Sequence, residues 1–142
     1  MLFPKKVKYR KWMTGRKNES KVARPETRGI NLDFGQFGLK AMTQARISSN
    51  QLEAARKAMT RAAGKTAKIW IRVFPDRPIT QKGAELPMGK GKGDLDHYAV
   101  DIRPGKIIFE VDGVTEAMAR ECLRKAATKL PITGKVISRK LA

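Results

Sequence analysis

Apolar side chains occupy every second position of two short runs near the middle of the chain, residues 98–102 and 107–111. A period of two is typical of a strand with one buried face. Between the two runs, Pro104-Gly105 favours a tight turn. The pattern therefore predicts an antiparallel β-hairpin, and it limits the chain to folds that contain a sheet.

Two amphipathic helices are predicted, one on each side of this hairpin. The first begins at Ser48, which precedes Gln51 at the spacing of a capping box, and it ends at Gly64. The second runs from about residue 115 to residue 129 and ends before Pro131. The predicted buried stripes are Leu52, Ala55, Met59 and Ala62 in the first helix, and Met118, Cys122, Leu123, Ala126 and Leu130 in the second.

Further strands are predicted at residues 33–40, 68–74, 79–82 and 132–138. Glycines interrupt the first of these segments, which indicates a bulge or a close approach of the backbone. Because strands and helices are mixed along one chain of 142 residues, the sequence predicts a single α+β domain at residues 32–142.

Residues 1–31 are predicted to form a basic arm. Ten cations in this segment face only Glu19 and Glu26, and the apolar residues are sparse and aperiodic. Such a segment cannot order itself by burial. Phe3, Tyr9 and Trp12 are interleaved with the charges, as suits stacking on exposed bases. The alternative is a solubilising tail with incidental aromatic residues.

The whole chain carries a formal net charge of +18 at pH 7, from 31 Lys and Arg against 13 Asp and Glu. Self-repulsion of this size destabilises a compact fold unless a polyanion neutralises it. Nucleic acid is the first candidate partner, and an anionic membrane surface is the second. No apolar run approaches the ~20 residues of a membrane-spanning helix. No secretory signal is expected, and a lone cysteine fits a reducing compartment.

Residues 83–94 are predicted to form a flexible loop, which contains the sequence MGKGKG at residues 88–93. Each lysine of this motif is followed by glycine and a strand comes next, so the motif differs from a Walker phosphate loop. Alternating glycines allow the backbone to approach a surface closely, and the two ammonium groups can then sit on phosphates. A hairpin tip whose charges serve only solubility fits the spacing equally well.

No persuasive catalytic constellation is found, and no enzyme activity, metal or cofactor is expected. His97 has no second His or Cys to complete a zinc site, and Cys122 is predicted to be structural. Two alternatives stay open: a small magnesium-dependent RNA-processing nuclease using Asp94, Asp96 and Asp101, and a peripheral protein that binds anionic lipid through its arm. The carboxylates predicted to lie in surface ion pairs at solvent-facing positions are Asp94, Asp96, Asp101, Glu110 and Asp112.

Several motifs occur in order along the chain: MLFPKKVKYRK, FGQFGLKA, ARISSNQLEAARKAMTR, KIWIRVFPDRPIT, MGKGKG, PGKIIFEVDGV and KLPI. Together they closely resemble the bacterial-type large-subunit ribosomal protein L16 family, over nearly the whole chain. The resemblance implies a hammerhead-type α+β fold in which two helices pack on a β-sheet. It also implies binding to large-subunit rRNA beside the aminoacyl-tRNA site, with roles in late subunit assembly and tRNA positioning.

The resemblance implies that the basic arm lies against rRNA and that the MGKGKG loop points toward tRNA and the peptidyl-transferase region. Expected partners are large-subunit rRNA, A-site and P-site tRNA and neighbouring ribosomal proteins, with no membrane and no free homo-oligomer. The expected location is the cytoplasmic ribosome, or the plastid stroma for an organelle-encoded protein. The predicted rRNA-binding residues are Lys5, Lys6, Lys8, Arg10, Lys11, Trp12, Arg16, Lys17, Arg46, Lys57, Arg61 and Arg72. The predicted tRNA-proximal residues are Lys82, Met88, Gly89, Lys90, Gly91, Lys92 and Gly93.

The chain departs from the family pattern at two places. Pro87 precedes MGKGKG where some members have an arginine, so no contact or modification of that side chain is carried over. Residues 18–28 form a longer segment than is usual in the family, and no role is assigned to them.

Overall fold

The computed structural model describes residues 2–13 and 24–139. Within these residues the chain forms seven β-strands and two α-helices. The strands are β1 (Phe37–Ala41), β2 (Ala45–Ser48), β3 (Lys68–Ile71), β4 (Arg77–Gln81), β5 (Asp94–Ile102), β6 (Ile107–Asp112) and β7 (Gly134–Ser138). The helices are α1 (Ser49–Ala63), between β2 and β3, and α2 (Glu116–Thr128), between β6 and β7.

The strands are arranged in two antiparallel sheets. One sheet has the strand order β3-β6-β1-β7, and the other has the order β2-β5-β4. Helix α2 packs on β1, β6 and β7, whereas α1 contacts β2, β3 and β5. Because α1 contacts strands of both sheets, a single hydrophobic core connects them. The predicted α+β fold with two helices is confirmed.

The predicted central hairpin is wrong in its pairing, although its turn forms. Gly105 has a φ of 102°, and the Lys106 N–H donates to the Arg103 carbonyl at 3.3 Å. Beyond this turn, β5 pairs with β2 and β4, while β6 pairs with β1 and β3 in the other sheet. All of β6 except its last residue is buried, so both of its faces are covered. Alternation cannot identify the partners of such a strand, because it has no solvent-facing side.

The predicted ends of both helices are confirmed. The Ser48 hydroxyl accepts a hydrogen bond from the Gln51 N–H at 3.3 Å, and the Gln51 side chain accepts one from the Ser48 N–H at 2.9 Å. This reciprocal pair satisfies two N–H groups at the start of α1. Gly64, with a φ of 80°, ends α1, and the Thr115 hydroxyl caps the start of α2.

In each helix, one residue of the predicted apolar stripe is replaced in the buried face by the residue that follows it. Ala63 is buried in α1, whereas Ala62 is only partly buried. Ala119 is buried in α2, whereas Met118 is 45% exposed, so its predicted burial is wrong. The two helices pack against each other, and a small side chain at the contact allows a closer approach than methionine would.

The remaining strands match their predicted segments to different degrees. β3, β4 and β7 overlap the predicted ranges, β1 begins at Phe37 rather than at residue 33, and β2 is absent from the sequence prediction. With four residues, β2 is too short to show a period. In the part of the chain that the structure describes, neither helix combines the length and the apolar character needed to cross a bilayer.

The chain before β1 runs along the four-stranded sheet. The Ile107 N–H donates to the Gly29 carbonyl at 2.8 Å, and the Glu26 N–H donates to the Pro104 carbonyl at 2.8 Å. A Cβ added at Gly35 would lie 2.8 Å from a carbonyl oxygen of β6. The close backbone approach predicted for this glycine-interrupted segment is therefore confirmed.

Candidate nucleic-acid interface

The Gly-Lys loop, residues 82–93, connects β4 and β5. Three successive residues at its tip have positive φ angles: Gly89 at 94°, Lys90 at 58° and Gly91 at 102°. A Cβ added at either glycine would meet nothing within 4 Å, so the backbone conformation and not crowding favours glycine there. Met88 is 94% exposed beside them. The loop therefore presents its tip, with Met88 and Lys90, to solvent.

The Gly-Lys loop folds back on itself and is narrow at its base. The Lys82 ammonium group donates to the Gly89 carbonyl. A Cβ added at Gly93 would lie 2.9 Å from the Gln81 backbone, so the two chain segments at the base approach closely. The structure thus brings the predicted tRNA-proximal residues together in one loop.

The first part of the basic arm ends against the Gly-Lys loop. The Lys11 ammonium group donates to the Lys92 carbonyl at 3.3 Å, and the Lys92 ammonium group donates to the Trp12 carbonyl. The Arg77 guanidinium donates to the Met13 carbonyl at 3.3 Å and lies over the Trp12 ring, 5.6 Å from its centroid. These contacts join segments about 65 to 80 residues apart, and sequence reasoning had no signal for Arg77.

The remaining arm cations within residues 2–13 are exposed to solvent. Lys8 lies 5.5 Å from the centroid of the Tyr9 ring. No carboxylate of the described residues forms an ion pair with the arm lysines or with Arg10. Predicted RNA-binding residues Arg16 and Lys17 lie outside the described residues.

Helix α1 carries two exposed cations that lack ion-pair partners among the described residues, unlike the exposed arginines of α2. Lys57 and Arg61 are exposed and form no ion pair with any residue that the structure describes. On α2, by contrast, Arg120 contacts Glu116 at 3.0 Å and Arg124 contacts Glu121 at 2.8 Å. Lys57 and Arg61 are therefore freer to meet an external anion than these α2 arginines, or than Arg56 on α1, which pairs with Glu53. Arg61 also lines a groove between the two helices, together with Lys125 and Lys129.

Arg46 lies on β2 and shares a carboxylate with Arg77. Its Nε is 2.8 Å from Asp101, and an Arg77 nitrogen is 3.4 Å from the other oxygen of the same carboxylate. The Arg46 side chain is still about half exposed. It can therefore reach a phosphate without leaving its ion pair.

Arg72, a predicted RNA-binding residue, is held inside the protein. Its guanidinium donates to Glu110, to the Asn31 carbonyl at 3.1 Å and to Asp33 at 3.0 Å, and it lies 5.2 Å from the centroid of the Phe34 ring. Only 13% of its side chain is exposed. These contacts occupy the guanidinium within the protein, so Arg72 is a structural residue and not a candidate for RNA binding.

Glu110 is fully buried, and its prediction as a surface carboxylate is wrong. One of its oxygens accepts hydrogen bonds from the backbone N–H groups of Asp33, Phe34 and Gly35 at 3.0, 3.1 and 3.0 Å. Burial alone would raise the pKa of Glu110, but these N–H donors and Arg72 outweigh burial and hold the pKa below its ordinary value. Glu110 is therefore a buried anion that fastens the chain before β1 to β6.

The other candidate catalytic groups do not assemble into a site. In residues 2–13 and 24–139, no three His, Cys, Asp or Glu side chains lie close enough to hold a metal ion. His97 contacts Asp96 through Nδ1 at 2.7 Å. Cys122 is buried between the helices and donates to the Met59 carbonyl at 3.5 Å. Burial raises the pKa of its thiol to about 11, so it stays protonated at neutral pH, as a structural thiol does.

The chain matches a known protein family along most of its length. The family model described as "Ribosomal protein L16p/L10e" matches residues 4–137. A curated relative, "Large ribosomal subunit protein uL16" of Halorhodospira halophila (strain DSM 244 / SL1), is 49% identical over 139 residues, which are 98% of this chain and 98% of the relative. Since the family model covers nearly the whole chain and the relative aligns from end to end, this chain belongs to the ribosomal protein L16p/L10e family of the large subunit.

Proposed function

We propose that this large-subunit ribosomal protein binds rRNA through its basic arm and the exposed cations of α1, and that its Gly-Lys loop positions tRNA. The observation that carries the proposal is a set of exposed cations on two contacting segments, the arm and the Gly-Lys loop, without carboxylate partners among the described residues. Lysine ammonium groups of this kind act as point charges on phosphates. A role in late assembly of the subunit is part of the proposal, because an arm with few apolar residues gains its full set of contacts only where folded rRNA already presents phosphates.

The proposed rRNA-binding set differs slightly from the sequence prediction. It keeps Arg46, Lys57 and Arg61, because each has exposed donors, and it drops Arg72 for the reason given above. The members of the set on the described part of the arm are Lys5, Lys6, Lys8, Arg10, Lys11 and Trp12. The predicted tRNA contacts in the A site and the P site are assigned to the Gly-Lys loop alone.

A nuclease function has less support. Asp94 and Asp96 are exposed at the start of β5, while Asp101 is engaged by Arg46 and by Arg77. A metal-dependent nuclease needs carboxylates that converge on one ion, and these three do not converge. Metal-dependent cleavage of rRNA by the purified protein, abolished by Asp96→Asn, would favour the nuclease over our proposal.

Affinity for rRNA should fall steeply as salt concentration rises. Each neutralised phosphate contributes a log–log slope of about −0.7 to −0.9, because bound counterions are released. Filter binding of the purified protein to large-subunit rRNA fragments across a salt series measures this slope. A flat response would contradict binding through phosphates. Binding to anionic vesicles that rRNA does not displace would instead support a membrane partner.

Neutralising the tip of the Gly-Lys loop should impair tRNA binding more than assembly. We expect subunits carrying Lys90→Ala with Lys92→Ala to retain most of their content of the protein, because the rRNA-binding side chains of the arm and α1 are unchanged. Binding of A-site tRNA to these subunits should be weaker, since two cations facing tRNA are lost. Lys65→Ala with Lys68→Ala, which removes the same charge outside the loop, is the matched control. Poor incorporation combined with normal tRNA binding would reverse the proposed roles.

A further inference from the structure

Three cations meet where the arm reaches the Gly-Lys loop. Lys11 and Lys92 each donate a hydrogen bond to the other segment's backbone, to the Lys92 and Trp12 carbonyls respectively. Arg77 joins them through the Met13 carbonyl and the Trp12 ring. The arm is thus attached to the loop by like-charged side chains, which repel one another in the absence of an anion.

The carboxylate that contacts Arg77 forms no ion pair with the two lysines of this cluster. Asp101 contacts Arg77 at 3.4 Å but is also bound to Arg46 at 2.8 Å, and half of its side chain is exposed. Lys11 and Lys92 form no ion pair with the described residues. Each ammonium group has three N–H donors and uses one on a carbonyl, so two remain for a ligand. The backbone carbonyls therefore orient two ammonium groups without neutralising them.

We propose that Lys11, Lys92 and Arg77 form one composite site for a phosphodiester of RNA, which bridges the arm and the Gly-Lys loop. The inference rests on the proposed function and adds a coupling to it: RNA bound at this site holds the loop in position. A polymer is favoured over a free anion because further exposed cations, among them Lys8 and Lys90, continue along both segments and can meet successive phosphates. The exposed part of the Trp12 ring lies beside the site and can stack on an adjacent base.

A double-mutant cycle tests the composite site. The proteins are the full-length chain, Lys11→Gln, Lys92→Gln and the double variant, and the probe is a large-subunit rRNA transcript in filter binding at 0.1 M salt. Loss of one phosphate contact should weaken binding about 5- to 8-fold in each single variant. If both lysines hold the same phosphate, the double variant should also lose about 5- to 8-fold. A loss near the product, roughly 25- to 60-fold, would show two independent contacts and overturn the inference.

A second pair of variants provides the control. Lys57 on α1 has no contact with Lys11 in the described residues, so Lys11→Gln with Lys57→Gln should show the full product of the two single losses. If both cycles are additive, the composite site is refuted. If the unmodified protein still binds rRNA with a steep salt dependence, the proposed function is unaffected by that result. Absence of salt-dependent binding by the unmodified protein refutes both.

Fluorescence of Trp12 distinguishes RNA from a free anion. In a Trp70→Phe background Trp12 is the only tryptophan left. Adding the rRNA transcript should reduce acrylamide quenching of Trp12, and Lys92→Gln should make this protection smaller by releasing the arm from the loop. Inorganic phosphate at the same phosphate concentration should protect Trp12 much less. Equal protection by inorganic phosphate would contradict assignment of the site to RNA.

Discussion

Glu110→Ala should lower the free energy of unfolding by about 3–5 kcal/mol, the usual cost of removing one partner from a buried ion pair. The substitution removes the acceptor of three backbone N–H groups, of which Gly35 is buried. Among the residues that the structure describes, it also leaves the Arg72 guanidinium with the exposed Asp33 as its one charged partner. Urea unfolding of the variant and the unmodified protein measures the difference.

Two further variants separate the causes of this loss. Glu110→Gln keeps an oxygen that can accept the three N–H groups but removes the charge that faces Arg72, so it should destabilise less than Glu110→Ala. Glu121→Ala removes an exposed carboxylate that contacts Arg124 on α2, and it should change stability little. Equal losses for Glu110→Ala and Glu121→Ala would show that the buried network contributes nothing specific.

The contribution of Glu110 should also depend on pH. Its pKa in the folded protein lies below the ordinary value of 4.5, so the folded state favours the charged form. The stabilisation is therefore complete above about pH 4.5 and is lost as the pH falls through the folded-state pKa. The stability gap between the unmodified protein and Glu110→Gln should narrow over the same acidic range. A gap that stays constant down to pH 2 would contradict a charged Glu110.

Local signals were sufficient for the ends of the two helices of this protein. Ser48 and Gln51 stand three residues apart and bond to each other, and Gly64 ends the same helix, so both ends of α1 are encoded within a few residues. Strand pairing is different, because β5 and β6 follow each other in sequence yet lie in separate sheets. The tight turn between them is a local property and was predicted. Which strands pair beyond the turn depends on distant parts of the chain, so the pairing could not be predicted from the turn.

Glu110 shows why part of the network was out of reach of sequence reasoning. Its hydrogen-bond donors, residues 33–35, precede it by 75 to 77 positions. A glutamate among apolar strand residues looks like a solvent-facing position when the strand is taken to have one polar side. The available signal was the nearly unbroken apolar run at residues 107–111, in which Glu110 is the one polar residue. A charge inside such a run points to a buried pair.

The meeting of the arm and the Gly-Lys loop was also absent from the sequence prediction. Each segment was identified from its own composition, and the resemblance assigned them to different RNAs. Lys11 and Lys92 are 81 positions apart and carry the same charge, so no rule of charge pairing would join them. Their contact depends on backbone carbonyls, which every residue has and which therefore leave no mark on the sequence. Each segment could be identified from the sequence as a candidate RNA-binding surface, and the contact between the two segments could not be predicted.

Neutralising three arm lysines should weaken rRNA binding more than neutralising three cations on α2. We expect Lys5→Gln, Lys6→Gln and Lys8→Gln together to reduce the salt slope by about 2.1 to 2.7, because each of these exposed lysines is proposed to meet one phosphate. At 0.1 M salt this corresponds to roughly 100- to 500-fold weaker binding when the affinities extrapolated to 1 M salt are equal. Filter binding across a salt series provides both values.

The matched control removes the same net charge from helix α2 instead of from the arm. Arg120→Gln, Arg124→Gln and Lys125→Gln together also eliminate three positive charges, but each of these cations lies within 3.7 Å of a glutamate on α2. Because their charge is already partly balanced, they release fewer counterions on binding, and the slope should change by less than about 0.7. Equal changes for the two triple variants would mean that overall charge alone governs affinity. A larger change for the arm variant requires that the arm itself lies on the phosphates.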